Sequence, residues 1–171
     1  LGILGRNGAF AEEIVLPEEN LHLVPEGVST SAAVFVEPLA AACRILEQVT
    51  VRRHDRVVVL GDGRLGLLCA LVLMCASAEV TIVGKHPEKL ARASRMGIPR
   101  VLTTSTRPEK IASLVVDCTG APSGLEAALQ WVAPLGTVVL KTTVAATHAL
   151  SLAPVVIDEI RVVGSRCGPF A

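Results

Sequence analysis

Three glycines in the run Gly61-Asp62-Gly63-Arg64-Leu65-Gly66 follow directly on the apolar residues Val57 to Leu60 and open an uncharged stretch that extends to Ala78. The spacing Gly-x-Gly-x-x-Gly between a strand and a helix has a chemical use. The first glycine permits a tight turn, the second lets a pyrophosphate approach the backbone, and the third lets helix and strand pack closely. The unpaired N–H groups and dipole of the helix then face the phosphate charge. Gly61, Gly63 and Gly66 take these places in turn, with Asp62, Arg64 and Leu65 between them. The strand before and the helix after, within one βαβ unit, make this a dinucleotide-binding signature rather than a chance glycine turn.

An NAD site of this kind expects Asp or Glu at the end of the second strand, roughly 20 residues further on, to bond the ribose hydroxyls. That place holds Gly84, followed by Lys85 and His86, with Lys89 one turn later. Removing the carboxylate removes repulsion towards a 2′-phosphate, and the cationic side chains offer it donors. The pattern predicts NADP in preference to NAD, held at Gly84, Lys85, His86 and Lys89; a solvated basic helix start is the alternative reading. Glu79 and Glu88 lie at the strand's start and in the next helix, poorly placed to replace the acid. Thr119 and Gly120 follow a fourth apolar run and Arg166 follows a sixth, where ligands bind outside the carboxyl ends of strands. All three are further cofactor candidates, whereas Asp117 reads equally well as a structural cap.

To bring these residues together the chain must form a sheet. From Arg56 onward apolar runs alternate with helical segments, with strands expected over residues 57–60, 80–83, 100–102, 114–117, 137–141 and 161–164 and helices over 65–78, 87–96 and 123–133. This alternation is the sequence form of an α/β parallel sheet, and six strands match a complete doubly wound, Rossmann-type fold of order 3-2-1-4-5-6. It spans about Arg52 to Gly168. Only residues 103–113, interrupted by Pro108, separate strands three and four, too few for a full helix. Upstream, residues 9–16 and 21–24 read as strands stopped by Pro17 and Pro25. Ser29 can cap a short helix through Val34, and Pro38 can open a second through about Leu46, leaving Glu37 at its N-terminal edge.

At 171 residues, 51% of them hydrophobic, the chain can bury one sizeable core with a piece appended. Lys plus Arg and Asp plus Glu balance at 16 each. Bulk charge therefore offers no attraction for nucleic acid or an anionic membrane. The uncharged run from Leu65 falls short of the roughly 20 residues a membrane span needs and reads as a buried helix. No signal-peptide pattern opens the chain, and cysteines 43, 69, 75, 118 and 167 show no C-x-x-C spacing, which together imply a reducing, cytoplasmic setting with buried free thiols. Cys69 and Cys75 lie roughly 240° apart around a helix and cannot share a metal. Of His22, His54, His86 and His148 only His86 has a site argument, His54 reading as part of a turn before strand one. A methyltransferase would need an acid where Gly84 stands, and a short-chain dehydrogenase a tyrosine, of which there is none.

Four segments together resemble the medium-chain zinc-dependent alcohol and polyol dehydrogenases, a family that includes sorbitol and threonine dehydrogenases. They are Gly5-Arg6-Asn7-Gly8-Ala9-Phe10-Ala11-Glu12, Val36-Glu37-Pro38-Leu39-Ala40, the run from Asp55 to Gly66, and Asp117-Cys118-Thr119-Gly120. The resemblance implies that residues 1–50 are the end of that family's catalytic, GroES-like domain with its connecting helix, and residues 51–171 its nucleotide-binding domain. It implies an intact enzyme in which zinc polarises the oxygen of a small alcohol or carbonyl substrate while hydride passes to or from NADP(H). It also gives Glu37 a role as zinc ligand or close neighbour, where the residues alone suggest a carboxylate favoured by the helix dipole.

The departures from the family carry expectations too. Its first catalytic cysteine, its Gly-His-Glu segment and its four-cysteine zinc lobe all precede the equivalent of Leu1, and the chain opens on Leu rather than Met. Both ends read as cut. The chain is expected to bind cofactor but neither to hold zinc tightly nor to turn over substrate. A homodimer through the last strand is an expectation by analogy. The competing reading is a non-catalytic NADP-binding module, and the substrate is not legible in these residues.

Overall fold

The computed structural model describes residues 5, 7–145, 147 and 149–169. The chain divides into two compact units, one ending at Val34 and the other starting at Phe35. In the first, a 3-10 turn at Glu18–Asn20 and a short helix, α1 (Thr30–Ala33), are the regular elements among the described residues. Ser29 caps α1 as expected, its hydroxyl accepting the Ala32 N–H at 3.2 Å. The strands expected over 9–16 and 21–24 do not form. Each would need a neighbouring strand to take up its ladder of N–H and C=O groups, and the described residues of this unit supply none. No described residue of the unit is buried. Its opening glycine-rich loop lies partly outside the described residues.

The second unit contains α2 (Val36–Gln48), β1 (Arg56–Leu60), α3 (Arg64–Cys75), β2 (Glu79–Gly84), α4 (Pro87–Arg95), β3 (Arg100–Thr103), β4 (Ala112–Asp117), α5 (Gly124–Trp131), β5 (Val132–Leu140), α6 (Ala153–Ile157) and β6 (Arg161–Gly164). The six strands form one parallel sheet of order β3-β2-β1-β4-β5-β6. The expected doubly wound α/β fold is present, with its strand order reversing between β1 and β4.

Strand residues alternate between two cores, because successive side chains point to opposite faces of a sheet. Val57, Val59, Ile82 and Val116 pack with α2, α3 and α4, while Val58, Leu60, Val115 and Val138 pack with α5. Helix α3 is apolar all round because it lies between the sheet and α2, with Leu67, Cys69, Ala70, Val72 and Leu73 buried. Burying each such valine, leucine or isoleucine side chain contributes about 1.5–3 kcal/mol.

Departures from the expected boundaries have local causes. Helix α3 stops at Cys75, and Ser77 then takes a left-handed φ of 65°. Helix α2 starts at Val36, earlier than Pro38, because a proline anywhere in the first turn loses no intrahelical bond. Helix α5 ends at Trp131, since the ring of Pro134 would clash with the Gln130 carbonyl, and β5 begins at Val132 with a register shift opposite Ala112 and Leu114. Helix α6 was not anticipated; a single turn has no periodicity to read. No helix fills residues 104–111, as their length suggested. No helix among the described residues is long and apolar enough to cross a membrane.

Candidate functional site

Gly61 leaves β1 with φ 111°, a region that disfavours every side chain, and its N–H donates to the Val83 carbonyl at 2.8 Å. A Cβ there would stand 2.5 Å from the Cys118 carbonyl oxygen. At Gly66 a Cβ would stand 2.0 Å from the Gly61 carbonyl oxygen. These two glycines are requirements of the fold itself. Gly63 differs, because its φ of −76° suits any residue and nothing lies within 4 Å of where its Cβ would be. Its missing side chain leaves open space before the first turn of α3, which no side chain caps. Open space beside uncapped N–H groups is what a pyrophosphate requires.

A cavity of about 500 Å³ opens at the carboxyl ends of β1, β2 and β4. It is bordered by Gly61 to Gly63, by Gly84 to His86 with Lys89, and by Thr119. Arg64, Leu65 and Gly66 run on into α3 behind this wall. Gly120, at φ 68°, sits beside Thr119 with its N–H donated to Thr142 Oγ1 at 3.0 Å. Arg166, beyond β6, and Glu37, in the first turn of α2, are exposed and do not border the cavity. The far wall comes from Thr104, Thr106, Pro108 and Trp131, none of which was expected at the site, Pro108 having been read only as an interruption of the crossover. The missing crossover helix between β3 and β4 was the available signal, since it leaves that side of the cavity to a loop.

Asp62 has a larger part than its place in the glycine motif suggested. A Cβ at Gly84 would stand 2.4 Å from Asp62 Oδ2. Asp62 thus occupies the space that a side chain at residue 84 would need, and it is buried, 5% exposed. Its oxygens accept the Lys85 N–H at 2.8 Å and the His86 N–H at 2.7 Å, and His86 Nδ1 lies 2.9 Å from Oδ1. Burial opposes ionisation, but the His86 amide and imidazole and the Lys85 amide outweigh it and hold the carboxyl below its ordinary value. Asp62 is therefore committed to the backbone of residues 85–86 and to the His86 imidazole, and Lys85 and Lys89 border the cavity beside that pair.

Asp117 proves to be the cap that the sequence allowed. It is 1% exposed and accepts the Thr119 N–H at 2.9 Å and the Thr119 hydroxyl at 2.8 Å. Those bonds fix the loop that carries Thr119 and Gly120.

Lys141, just past β5, is a buried cation whose Nζ donates to the Ala41 carbonyl at 2.5 Å and to Ser165 Oγ at 3.1 Å. It ties α2 to the ends of β5 and β6. Burial lowers its pKa, against the opposing influence of Cys69, Cys118, Cys167 and Glu37. The folded protein therefore holds this proton less tightly than the unfolded chain does. The charged form costs stability at neutral pH, and the cost is relieved as pH climbs from the lowered value towards the ordinary 10.5. Unfolding free energy, followed by denaturant titration from roughly pH 7 to pH 10, should rise on this account in the native chain and lose that rise in Lys141→Met. Equal slopes in the two proteins would remove the assignment.

The cysteines are not all buried, contrary to what their residue type suggested. Cys69 is buried and Cys118 half-buried, but Cys43, Cys75 and Cys167 are exposed. The first two lie on the outer sides of α2 and α3, and Cys167 follows β6. His54 sits in a turn at φ 65°, as expected, its N–H donated to the Ser77 carbonyl at 3.0 Å. His148 lies outside the described residues. Among the described residues no three of His, Cys, Asp or Glu converge as a metal site, so they do not fit a zinc ion on their own.

Residues 65–170 match the family described as zinc-binding dehydrogenase. The chain belongs to that family. Among this family's members it is similar to sorbitol dehydrogenase of Halalkalibacterium halodurans, 30% identical over 128 residues, covering 68% of this chain and 37% of the relative. L-threonine 3-dehydrogenase of Chelativorans sp. is 34% identical over 111 residues, covering 64% of this chain and 31% of the relative. The fold is shared with a protein described as a zinc-binding dehydrogenase from Sinorhizobium meliloti 1021 bound to NADP, at TM-score 0.84 and 22% identity, over 96% of this chain and 53% of that one. The chain thus spans about a third of the length of the curated relatives named here.

Proposed function

We propose that this chain carries the NADP(H)-binding domain of a medium-chain alcohol or polyol dehydrogenase. The observation that carries the reading is the switch-point cavity, where Asp62 fills the side-chain space at Gly84 and accepts the Lys85 and His86 amides, so that no carboxylate is left for a ribose while Lys85, His86 and Lys89 border the space. On this reading the pyrophosphate rests on Gly61 to Gly63 and the N-terminus of α3, and the 2′-phosphate meets Lys85, His86 and Lys89. Thr119 and Gly120 border the ribose, and Arg166 stands towards the nicotinamide end. The bound cofactor supplies hydride transfer between an alcohol and its carbonyl.

The remaining parts of the reading rest on the family. Residues 1–50 belong to the catalytic domain and its connecting helix, and residues 51–171 to the nucleotide domain. Zinc belongs to a longer protein, with Glu37 as the one residue here that attends it. The substrate is a small alcohol or carbonyl compound. Strand β6 lies at the edge of the sheet, open to a second copy in a homodimer. The five unpaired cysteines suit a reducing cytoplasm.

Trp131 is the chain's one tryptophan and borders the cavity, so quenching of its emission reports binding directly. Titration should show NADPH binding about tenfold or more tightly than NADH, the worth of one charge-assisted contact. Equal or tighter binding of NADH overturns the preference; absence of binding by either overturns the reading.

A further inference from the structure

Cys69 and Cys118 bring their sulfurs to 3.8 Å, with the Cys118 thiol donating to Cys69. Cys69 lies in the second turn of α3 and is fully buried, whereas Cys118 follows β4 and borders the cavity. Between them runs the contact that seats the glycine loop. Cys118 Cβ is 3.6 Å from where a Gly66 Cβ would be, and the Cys118 carbonyl presses against Gly61. A disulfide has its sulfurs about 2.05 Å apart, so the pair needs an approach of less than about 2 Å. Its surroundings favour thiolate. The thiol of Cys118 and the charge of Lys141 hold Cys69 below the ordinary thiol range against burial, while Cys118, as the donor, is pushed up.

We propose that Cys69 and Cys118 are an oxidation site, converted to a disulfide by a hydroperoxide that enters through the cofactor cavity. With Cys69 deprotonated, the one proton left to the pair passes between the sulfurs and frees Cys118 to attack the peroxide O–O bond. That bond breaks, the leaving alkoxide (hydroxide, from hydrogen peroxide) takes up from solvent the proton that Cys69 gave up on ionising and departs as alcohol (or water), and Cys118 becomes a sulfenic acid. The Cys69 sulfur then attacks Cys118 Sγ, the S–O bond breaks, and the hydroxyl departs with a proton as water. Two thiols lose two electrons and two protons, and the hydroperoxide is reduced to alcohol and water. The new bond draws α3 towards the end of β4, across Gly66, and so acts on the phosphate seat. A cofactor bound in the cavity would shield Cys118 from the hydroperoxide, a consequence that rests on the function proposed above.

The test uses the whole chain carrying Cys43→Ser, Cys75→Ser and Cys167→Ser, so that only this pair can respond. Treated with hydrogen peroxide, it should lose two hydrogens in intact mass and yield one Cys69–Cys118 cross-linked peptide. Adding Cys118→Ser should abolish both. A sulfenic acid that persists on Cys118 without the cross-link, or no reaction while the denatured protein oxidises readily, overturns the proposal. NADPH at about ten times its dissociation constant should slow the reaction about tenfold, by occupancy of the cavity. If NADPH binds and the rate is unchanged, the route through the cavity is wrong. If NADPH does not bind at all, the cofactor reading fails, and the cross-link alone decides the fate of the pair.

Discussion

Gly66→Ala is expected to destabilise the protein by about 3 kcal/mol or more, whereas Gly63→Ala should leave the empty protein within about 1 kcal/mol of its original stability and yet weaken NADPH binding. The difference lies in what each added methyl would meet. At residue 66 it stands 2.0 Å from the Gly61 carbonyl oxygen, a backbone atom that cannot swing aside. Relief requires pulling α3 away from β1, and α3 holds one of the two cores together through Leu67, Ala70 and Leu73. At residue 63 the methyl meets nothing within 4 Å and the backbone conformation tolerates it. The space it fills is the space a pyrophosphate needs, so NADPH affinity should fall at least about tenfold, or 1.4 kcal/mol. Denaturant midpoints and Trp131 quenching measure the two halves separately. A Gly66→Ala protein with the original midpoint would show the contact to be soft. Unchanged NADPH affinity in Gly63→Ala would move the pyrophosphate elsewhere.

The second large effect concerns cofactor choice. An acid at the end of β2 is what an NAD site expects, yet Gly84→Asp alone should fail here. Its Cβ would lie within 2.4–2.6 Å of three atoms of the Asp62 side chain. A second carboxylate would also be forced against one that is already buried and ionised. The single variant should lose about 3 kcal/mol or more and bind neither cofactor. Combined with Asp62→Gly, which removes all three of those atoms, the clash and the like charge both disappear, and an acceptor is restored near the Lys85 and His86 amides. The double variant should refold to near the original midpoint and favour NADH over NADPH by about tenfold. The measurements are thermal midpoints and paired titrations. A single variant as stable as its parent, or a double variant that keeps the original preference, would falsify the placement of Asp62.

The sheet was legible because its signals are local. Each of the six strands is a short apolar run bounded by turn residues, and the glycine motif stands at the one junction where a strand gives way to an uncharged helix. What stayed hidden depends on contacts between distant residues. Gly84 showed that an acid was missing, but nothing nearby showed that Asp62, some twenty residues earlier, stands in the space. Thr104, Thr106 and Trp131 meet across the cavity only once β3, β4 and α5 have taken their places in the sheet. The segments around residues 9–16 and 21–24 misled for the opposite reason. Their apolar pattern and flanking prolines suit strands, but a strand also needs a partner, and a local pattern does not report whether one exists. Burial of Cys43, Cys75 and Cys167 was likewise expected from residue type, where the side of the helix or the end of the chain decides.

Asp62 has one further consequence. Lys85 and His86 are held in place by a carboxylate that belongs to the protein, so the backbone around them is ordered during folding rather than on the arrival of a ligand. Fixing a residue's backbone costs about 1–2 kcal/mol, and here folding has already met that cost. A dinucleotide docking at this seat thus keeps for affinity the free energy that a loose loop would spend on becoming ordered.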